Sequence, residues 1–138
     1  MMRVHRDMLC DVWTFAGEKR RENLNIGIDH SQVEVQLLVL EKDLKYWEEN
    51  RTYDMLEQAV RLHFQCARIH PFYDGNGRWA RMLSNIWLKR HDQPIVAWPD
   101  EMDDTTSVIR KEYLDTIWEA DQGGFKPLVD LHTRYFPK

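Results

Sequence analysis

Apolar residues recur along most of the chain at spacings of three and four, the period of a helix with one face turned to a core. In residues 3–16 the stripe is Val4, Met8, Val12 and Phe15, and it ends at Gly17, a residue suited to the position just past a helix. A second stripe, Val33, Leu37, Leu40, Leu44 and Trp47, predicts a helix over 31–49. Its opening Ser31-Gln32-Val33-Glu34 has the form of a capping box, in which hydroxyl and carboxylate satisfy the first unpaired N–H groups. Leu56, Val60, Phe64 and Ala67 mark a third helix over 53–69. It must stop near His70, because Pro71 disfavours helical geometry in the residue before it. Trp79, Met82, Leu83, Ile86 and Trp87 crowd much of the surface of a fourth, over 76–91, which therefore belongs at the centre of a bundle. Pro99-Asp100 opens a fifth over 101–121, closed by Gly123-Gly124, and Pro127 sits where a short last helix to about Tyr135 begins.

One stretch breaks the period. Between residues 17 and 30, Leu24, Ile26 and Ile28 alternate with Asn25 and Gly27, which predicts a small hairpin or loop. A lone hairpin is marginal, so it must lean on the helices. The expected fold is an all-α helical bundle with a small β-hairpin flap over about residues 20–30, in a single domain spanning 1–138.

Composition narrows the function classes. A chain of 138 residues is one domain. Its six Trp and 12% aromatic share do not fit a disordered linker. Net charge is −4, which argues against nucleic acid as a partner, since phosphate-backbone affinity needs a basic face. Cys10 and Cys66 are isolated, so neither a zinc site nor a disulfide framework is encoded, and lone thiols fit a reducing compartment. No apolar run approaches the ~20 residues that span a bilayer, and charges occupy the N-terminal positions where a signal peptide is apolar. The expectation is a cytoplasmic domain with no membrane partner.

Chemistry concentrates in His70-Pro71-Phe72-Tyr73-Asp74-Gly75-Asn76-Gly77-Arg78-Trp79-Ala80-Arg81. The segment joins a helix end to a helix start through a loop with two glycines, which let backbone approach a ligand closely. A helix N-terminus carries about half a positive charge and free N–H groups, an anion site. Arg78 and Arg81, three apart on that first turn, reach the same anion, and two arginines suit a polyphosphate. Asp74 beside phosphates needs a cation between them, and Mg²⁺ takes one or two carboxylates plus phosphate oxygens. His70 is the one nearby group titrating near neutrality, the natural general base. Charge agrees: from Arg68 to Arg90 five cations (Arg68, Arg78, Arg81, Lys89, Arg90) face one acid, Asp74, in a chain that is acidic overall. A basic pocket in an acidic protein suits a small anion.

This segment matches the signature of the Fic domain family in full: His, any, Phe, any, Asp or Glu, Gly, Asn, Gly, Arg, any, any, Arg. Eight fixed positions at about 5% usage each give a chance match of roughly 10⁻¹⁰ per starting position. Trp13-Thr14-Phe15-Ala16-Gly17 resembles the entry motif of Fic cores. Asn25-Ile26-Gly27-Ile28-Asp29-His30 and Ala120-Asp121-Gln122-Gly123-Gly124-Phe125-Lys126-Pro127-Leu128 resemble the bacterial branch called mobile mystery protein B.

The resemblance implies a protein adenylyltransferase that moves AMP from ATP to a Ser, Thr or Tyr hydroxyl of a target protein, releasing pyrophosphate. His70 would deprotonate the hydroxyl and Asp74 would hold Mg²⁺. Gly75, Asn76 and Gly77 would bind the α-phosphate, with the Asn76 side chain contributing; Arg78 would hold the β-phosphate and Arg81 the γ-phosphate. Phe72 would anchor the loop, and Asn23, Leu24, Asn25, Ile26 and Gly27 in the flap would dock the target by strand addition. Relatives that move phosphate or phosphocholine depart from Gly-Asn-Gly-Arg or the last Arg; this chain departs at neither.

Many relatives carry an inhibitory helix, Ser/Thr-x-x-x-Glu-Gly/Asn, whose Glu pairs with the second motif Arg. The one Ser or Thr here with Glu four on is Thr14, in Thr14-Phe15-Ala16-Gly17-Glu18-Lys19, and its last position departs from the pattern. The inhibitory element is therefore expected upstream or on a separate antitoxin, as in toxin–antitoxin pairs; with neither, Arg81 is free. A lost N-terminal helix would favour a homodimer or another partner. His63 reads as packing or hydrogen bonding, Arg68 as a salt bridge, Trp79 as core that could border the site, and Asp103-Asp104 as helix-start charge. Two other readings compete: a nucleotide-binding interaction module without turnover, and transfer of another nucleotide moiety. A metal-dependent hydrolase is the weakest, since only one carboxylate and one His converge.

Overall fold

The computed structural model describes residues 1–9 and 17–137, and every regular element among them is helical. In chain order these are α1 (Met2–Leu9), α2 (Val33–Asn50), α3 (Met55–Ile69), α4 (Asn76–Arg90), α5 (Val108–Asp121) and α6 (Lys126–Arg134), with 3-10 turns at His30–Gln32 and Asp100–Asp103. Cys10, Val12, Phe15 and the Trp13-Thr14-Phe15-Ala16 part of the entry motif lie outside the described residues.

α3 and α4 form the centre. Trp79, Ala80, Leu83, Trp87 and Leu88 of α4 pack with Ala59, Leu62, Cys66 and Ile69 of α3 and with the Val33–Leu37–Leu40–Leu44 stripe of α2. A second cluster, Val60, Phe64, Ala120 and Leu128, attaches α5 and α6 to another face of α3. The crowded apolar surface of α4 is thus explained by neighbours on several sides, as its sequence predicts.

The beginnings of elements differ from expectation. The capping box at Ser31 does not form: Asp29 caps instead, accepting from both the N–H and the hydroxyl of Ser31, while Glu34 is drawn 2.8 Å from Lys19 Nζ. α5 begins at Val108 and not near Pro99, because Ser107 Oγ accepts from Arg110 N and Asp104 holds Thr106 in a side-chain turn ahead of it. Arg68 makes no salt bridge among the described residues; its guanidinium donates to Gln65 and Gln36. The predicted hairpin is also absent: no strand occurs among the described residues, and residues 20–30 run as bends around one buried side chain, Arg20.

Behind α4 two histidines are fully buried. His132 is pushed down to about 4 by burial, and His63 lies well below its ordinary value for the same reason, with His132 and Arg81 adding to it. An unfolded chain with ordinary histidines binds more protons below pH 6.5, so stability is complete above that pH and is lost as pH falls toward the folded values. From pH 6.5 to 5, unfolding free energy is expected to drop by about 2 kcal/mol through His132 alone. Urea unfolding across that window measures it, and a flat profile would contradict a neutral buried pair.

Candidate active site

The chemistry-bearing loop is built by the way α3 ends. His70 takes a left-handed backbone, φ 49°, with its N–H on Cys66 O at 3.0 Å, and Pro71 ends the helical ladder there. Gly75, φ 76°, stands as the N-cap of α4 with no side chain capping the first turn, so that turn's N–H groups are left for a ligand. Between them the loop is stapled from inside. Asn76 accepts from Phe72 N at 2.9 Å and donates to Phe72 O at 2.8 Å. The Asn76 side chain, expected to join the anion site, is buried and also holds the loop together from inside.

Phe72 is completely buried, as expected of an anchor, with His5 stacked on it at 3.6 Å and Trp79 edge-on at 5.1 Å. Gly17 N donates to His5 Nδ1, so Nε2 carries the proton and donates to Asp74 O at 2.8 Å. Trp79 does not border the site: it is buried and donates to Met1 O.

Arg20 ties this loop to the flap. It is 1% exposed, and its guanidinium donates to four carbonyls: His70 O at 2.7 Å, Glu22 O at 3.0 Å, Ile69 O at 3.2 Å, and Ile28 O. The Arg20 N–H adds Pro71 O at 2.8 Å. Flap residues 22–28 are therefore folded over a cation and curve, where a hairpin would pair with itself. Asn23 is committed inside the curve, to His30 N and to Asp29. Gly27, φ 94°, presses on the loop that carries His70; a Cβ there would lie 2.8 Å from His70 Cβ. Ile26 points outward, 62% exposed.

His70, Asp74, Gly75, Asn76, Gly77, Arg78 and Arg81 all line one cavity of about 300 Å³, with Tyr73, Asp103, Thr105 and Arg110 completing the wall. Flap residues Asn23–Gly27 are not part of that wall. The His70 imidazole is held below its ordinary value, by burial first and the Arg20 guanidinium second, with Asp74 partly offsetting them. It is therefore neutral at pH 7, the state a proton acceptor needs.

Arg81 is not free. Its Nη2 lies 2.6 Å from Asp103 Oδ1, and Arg78 Nε lies 3.5 Å from the same oxygen. Asp103, read from sequence as helix-start charge, sits instead in the 3-10 turn that faces α4 and bridges both motif arginines. Its contact crosses 22 residues of sequence, and no local spacing signals it. Arg20 and His5 were likewise illegible, because their partners lie 50 and 69 residues away.

The profile of the Fic/DOC family matches residues 1–88, which include the whole loop and both arginines. The chain belongs to the Fic/DOC family. Among curated relatives it is 36% identical over 91 residues to the protein adenylyltransferase fic-1 of Caenorhabditis elegans, covering 64% of this chain and 16% of that protein. It is 29% identical over 133 residues to the protein adenylyltransferase Fic of Drosophila mojavensis, covering 94% and 25%. A solved structure of Fic-1 (residues 134–508) from C. elegans superposes with a TM-score of 0.78 at 30% identity, covering 97% of this chain and 38% of that one. This chain spans a quarter or less of these two curated relatives. The family fold thus accounts for nearly all of the chain, α5 and α6 included.

Proposed function

We propose that the domain is a protein adenylyltransferase, transferring AMP from ATP to a Ser, Thr or Tyr hydroxyl of a target protein. The observation that carries the reading is the single cavity in which a neutral His70, an uncapped helix N-terminus and two arginines converge. The relatives at 29–36% identity are named protein adenylyltransferases, which supports the same chemistry.

Each residue has a physical role. The N–H groups of the first turn of α4 receive the α-phosphate, where charge accumulates as the fifth oxygen bonds to phosphorus. Arg78 and Arg81 hold the β- and γ-phosphates. The target hydroxyl oxygen attacks the α-phosphorus, its proton passes to the His70 imidazole, and the bond from α-phosphorus to the bridging oxygen breaks, releasing pyrophosphate. Asp74 is the one carboxylate on the phosphate side that is not tied to an arginine, and a single carboxylate shared with phosphate oxygens is a donor set that suits Mg²⁺. Asp74 would hold the ion, which when bound would supply charge neutralisation for the phosphates. Among the described residues no cluster of three His, Cys, Asp or Glu encloses a metal, so the nucleotide itself must complete any such site.

The flap segment Asn23–Gly27, pressed on His70 through Gly27, is the surface along which the target backbone approaches. No helix among the described residues is long and apolar enough to cross a membrane. The closer likeness to the mobile mystery protein B branch, and a toxin–antitoxin setting in the cytoplasm, belong to this proposal and rest on sequence alone.

Asp103 stands where the terminal phosphate must bind, so nucleotide entry has to break its pair with Arg81. Asp103→Ala is expected to raise ATP affinity roughly fivefold, the worth of about 1 kcal/mol of competing ion pair. Isothermal titration reads this directly, and unchanged affinity would remove Asp103 from the phosphate path. An inhibitory helix of a separate chain would compete with Asp103 for the same guanidinium.

ATP labelled at the α- or the γ-phosphate, incubated with the domain, Mg²⁺ and cell lysate, tests the activity. Label arriving on protein from the α position alone supports adenylyl transfer; label from neither position, with ATP still bound, favours an interaction module.

A further inference from the structure

Arg81 is gripped from behind by a buried chain that no motif describes. Its guanidinium carbon lies 5.9 Å from the Tyr113 ring centroid, and the Tyr113 hydroxyl feels its charge. That hydroxyl lies 2.7 Å from His63 Nε2; His63 Nδ1 lies 3.2 Å from His132 Nε2; and His132 Nδ1 lies 2.8 Å from Leu128 O. Tyr113, His63 and His132 are all buried, at 4%, 0% and 0% exposure.

The direction of every proton in this chain follows from its far end. A carbonyl can only accept, so His132 Nδ1 carries the proton that meets Leu128 O. A neutral imidazole has one N–H, so His132 Nε2 accepts, and His63 Nδ1 must donate to it. His63 Nε2 then accepts the Tyr113 O–H. The Tyr113 oxygen, its proton committed, is left with only lone pairs to present to the Arg81 charge beside it. Both imidazoles are neutral here, since burial holds them far below their ordinary values.

We infer that Tyr113 is a positioning residue for the polyphosphate, held as an acceptor by His63 and His132 so that it fixes Arg81 without neutralising its charge. A carboxylate in the same place would orient the guanidinium equally well but would cancel the positive charge an incoming phosphate requires. The front of Arg81 carries such a carboxylate, Asp103, on an exposed turn from which phosphate can displace it. The back carries a neutral oxygen that need not move. The inference rests on the reading of Arg81 as the terminal-phosphate ligand.

Tyr113→Phe removes the oxygen while keeping the ring that packs edge-on against His63 and Trp98. Titrations of wild type and variant with ATP and with AMP should show a loss of about fivefold for ATP and less than twofold for AMP, the worth of one ordinary polar contact. Equal losses for both nucleotides, or none for either, in a variant of unchanged melting temperature would overturn the positioning role. Wild-type protein that binds AMP as tightly as ATP would overturn the polyphosphate reading itself, and this inference with it. Unmutated protein supplies a second test through the imidazole ¹⁵N shifts. His63 and His132 should both be neutral at pH 7 with the proton on Nδ1, and ATP but not AMP should perturb His63 Nε2. A proton on His63 Nε2 would mean that Tyr113 is not its donor, and the chain as described would not exist.

Discussion

His70→Ala is expected to lower adenylyl transfer by 10²–10⁴-fold, the usual contribution of a positioned general base, while ATP affinity changes by less than about twofold. The split follows from geometry. His70 lines the cavity from the loop before Gly75, whereas the proposed phosphate ligands are the first turn of α4 and its arginines. Removing the imidazole removes the proton acceptor and leaves the anion site. The wild-type pH profile carries the same signature. With His70 held below its ordinary value, the rate should be flat above pH 6.5 and should fall toward acid as the imidazole protonates. Steady-state transfer to an identified target measures both. A variant that retains wild-type rate would show that the proton leaves by another route.

Arg20→Met should cost about 3–5 kcal/mol of unfolding free energy, a large share of the roughly 5–15 kcal/mol that holds a domain of this size. The substituted side chain has similar length and remains apolar, so packing is largely kept. What disappears is the donor set: the carbonyls of Glu22, Ile28, Ile69 and His70 lose a shared charged partner that is itself 1% exposed. Arg20→Lys should recover only part of the loss, because a compact ammonium cannot serve a planar fan of acceptors. Urea unfolding of the three proteins ranks them, and the order wild type, Lys, Met is the expected one. A loss under 1 kcal/mol in Arg20→Met would mean that the flap holds its shape by its own turns.

The contrast between these two residues shows what the sequence could disclose. His70, Asp74, Gly75, Asn76, Gly77, Arg78 and Arg81 fall within twelve consecutive positions, and a helix end followed by a helix start brings them together wherever the rest of the chain goes. Local spacing suffices for such a site. The central placement of α4 was legible for a related reason, since its apolar surface is wider than one neighbour can cover. Arg20, His5, Asp103 and Tyr113 act across 22 to 69 residues of sequence, and nothing in their immediate neighbours marks them.

The flap shows how a correct local pattern can be overridden. Leu24, Ile26 and Ile28 do alternate with polar residues, yet Arg20 takes the Ile28 carbonyl that a strand pair would have used, and the segment bends around the guanidinium. A similar competition moved the start of α5. Asp104 and Ser107 each accept from a backbone N–H two or three residues on, so the chain turns before it coils, and the carboxylate of Asp103 is delivered to α4. Asn76 carries a second task that spacing does not signal: its amide holds the Phe72 backbone at both ends.

The central claim is that this cavity moves AMP onto a protein hydroxyl. Intact-protein mass spectrometry after incubation with ATP and Mg²⁺, alone and with lysate, tests it most directly, with His70→Ala and Arg81→Ala run in parallel. The expected result is a gain of one AMP on the domain or on a lysate protein, absent in His70→Ala and strongly reduced in Arg81→Ala. An equal gain in His70→Ala, or a folded wild-type protein that binds ATP and adds nothing to any protein of the lysate, would contradict it.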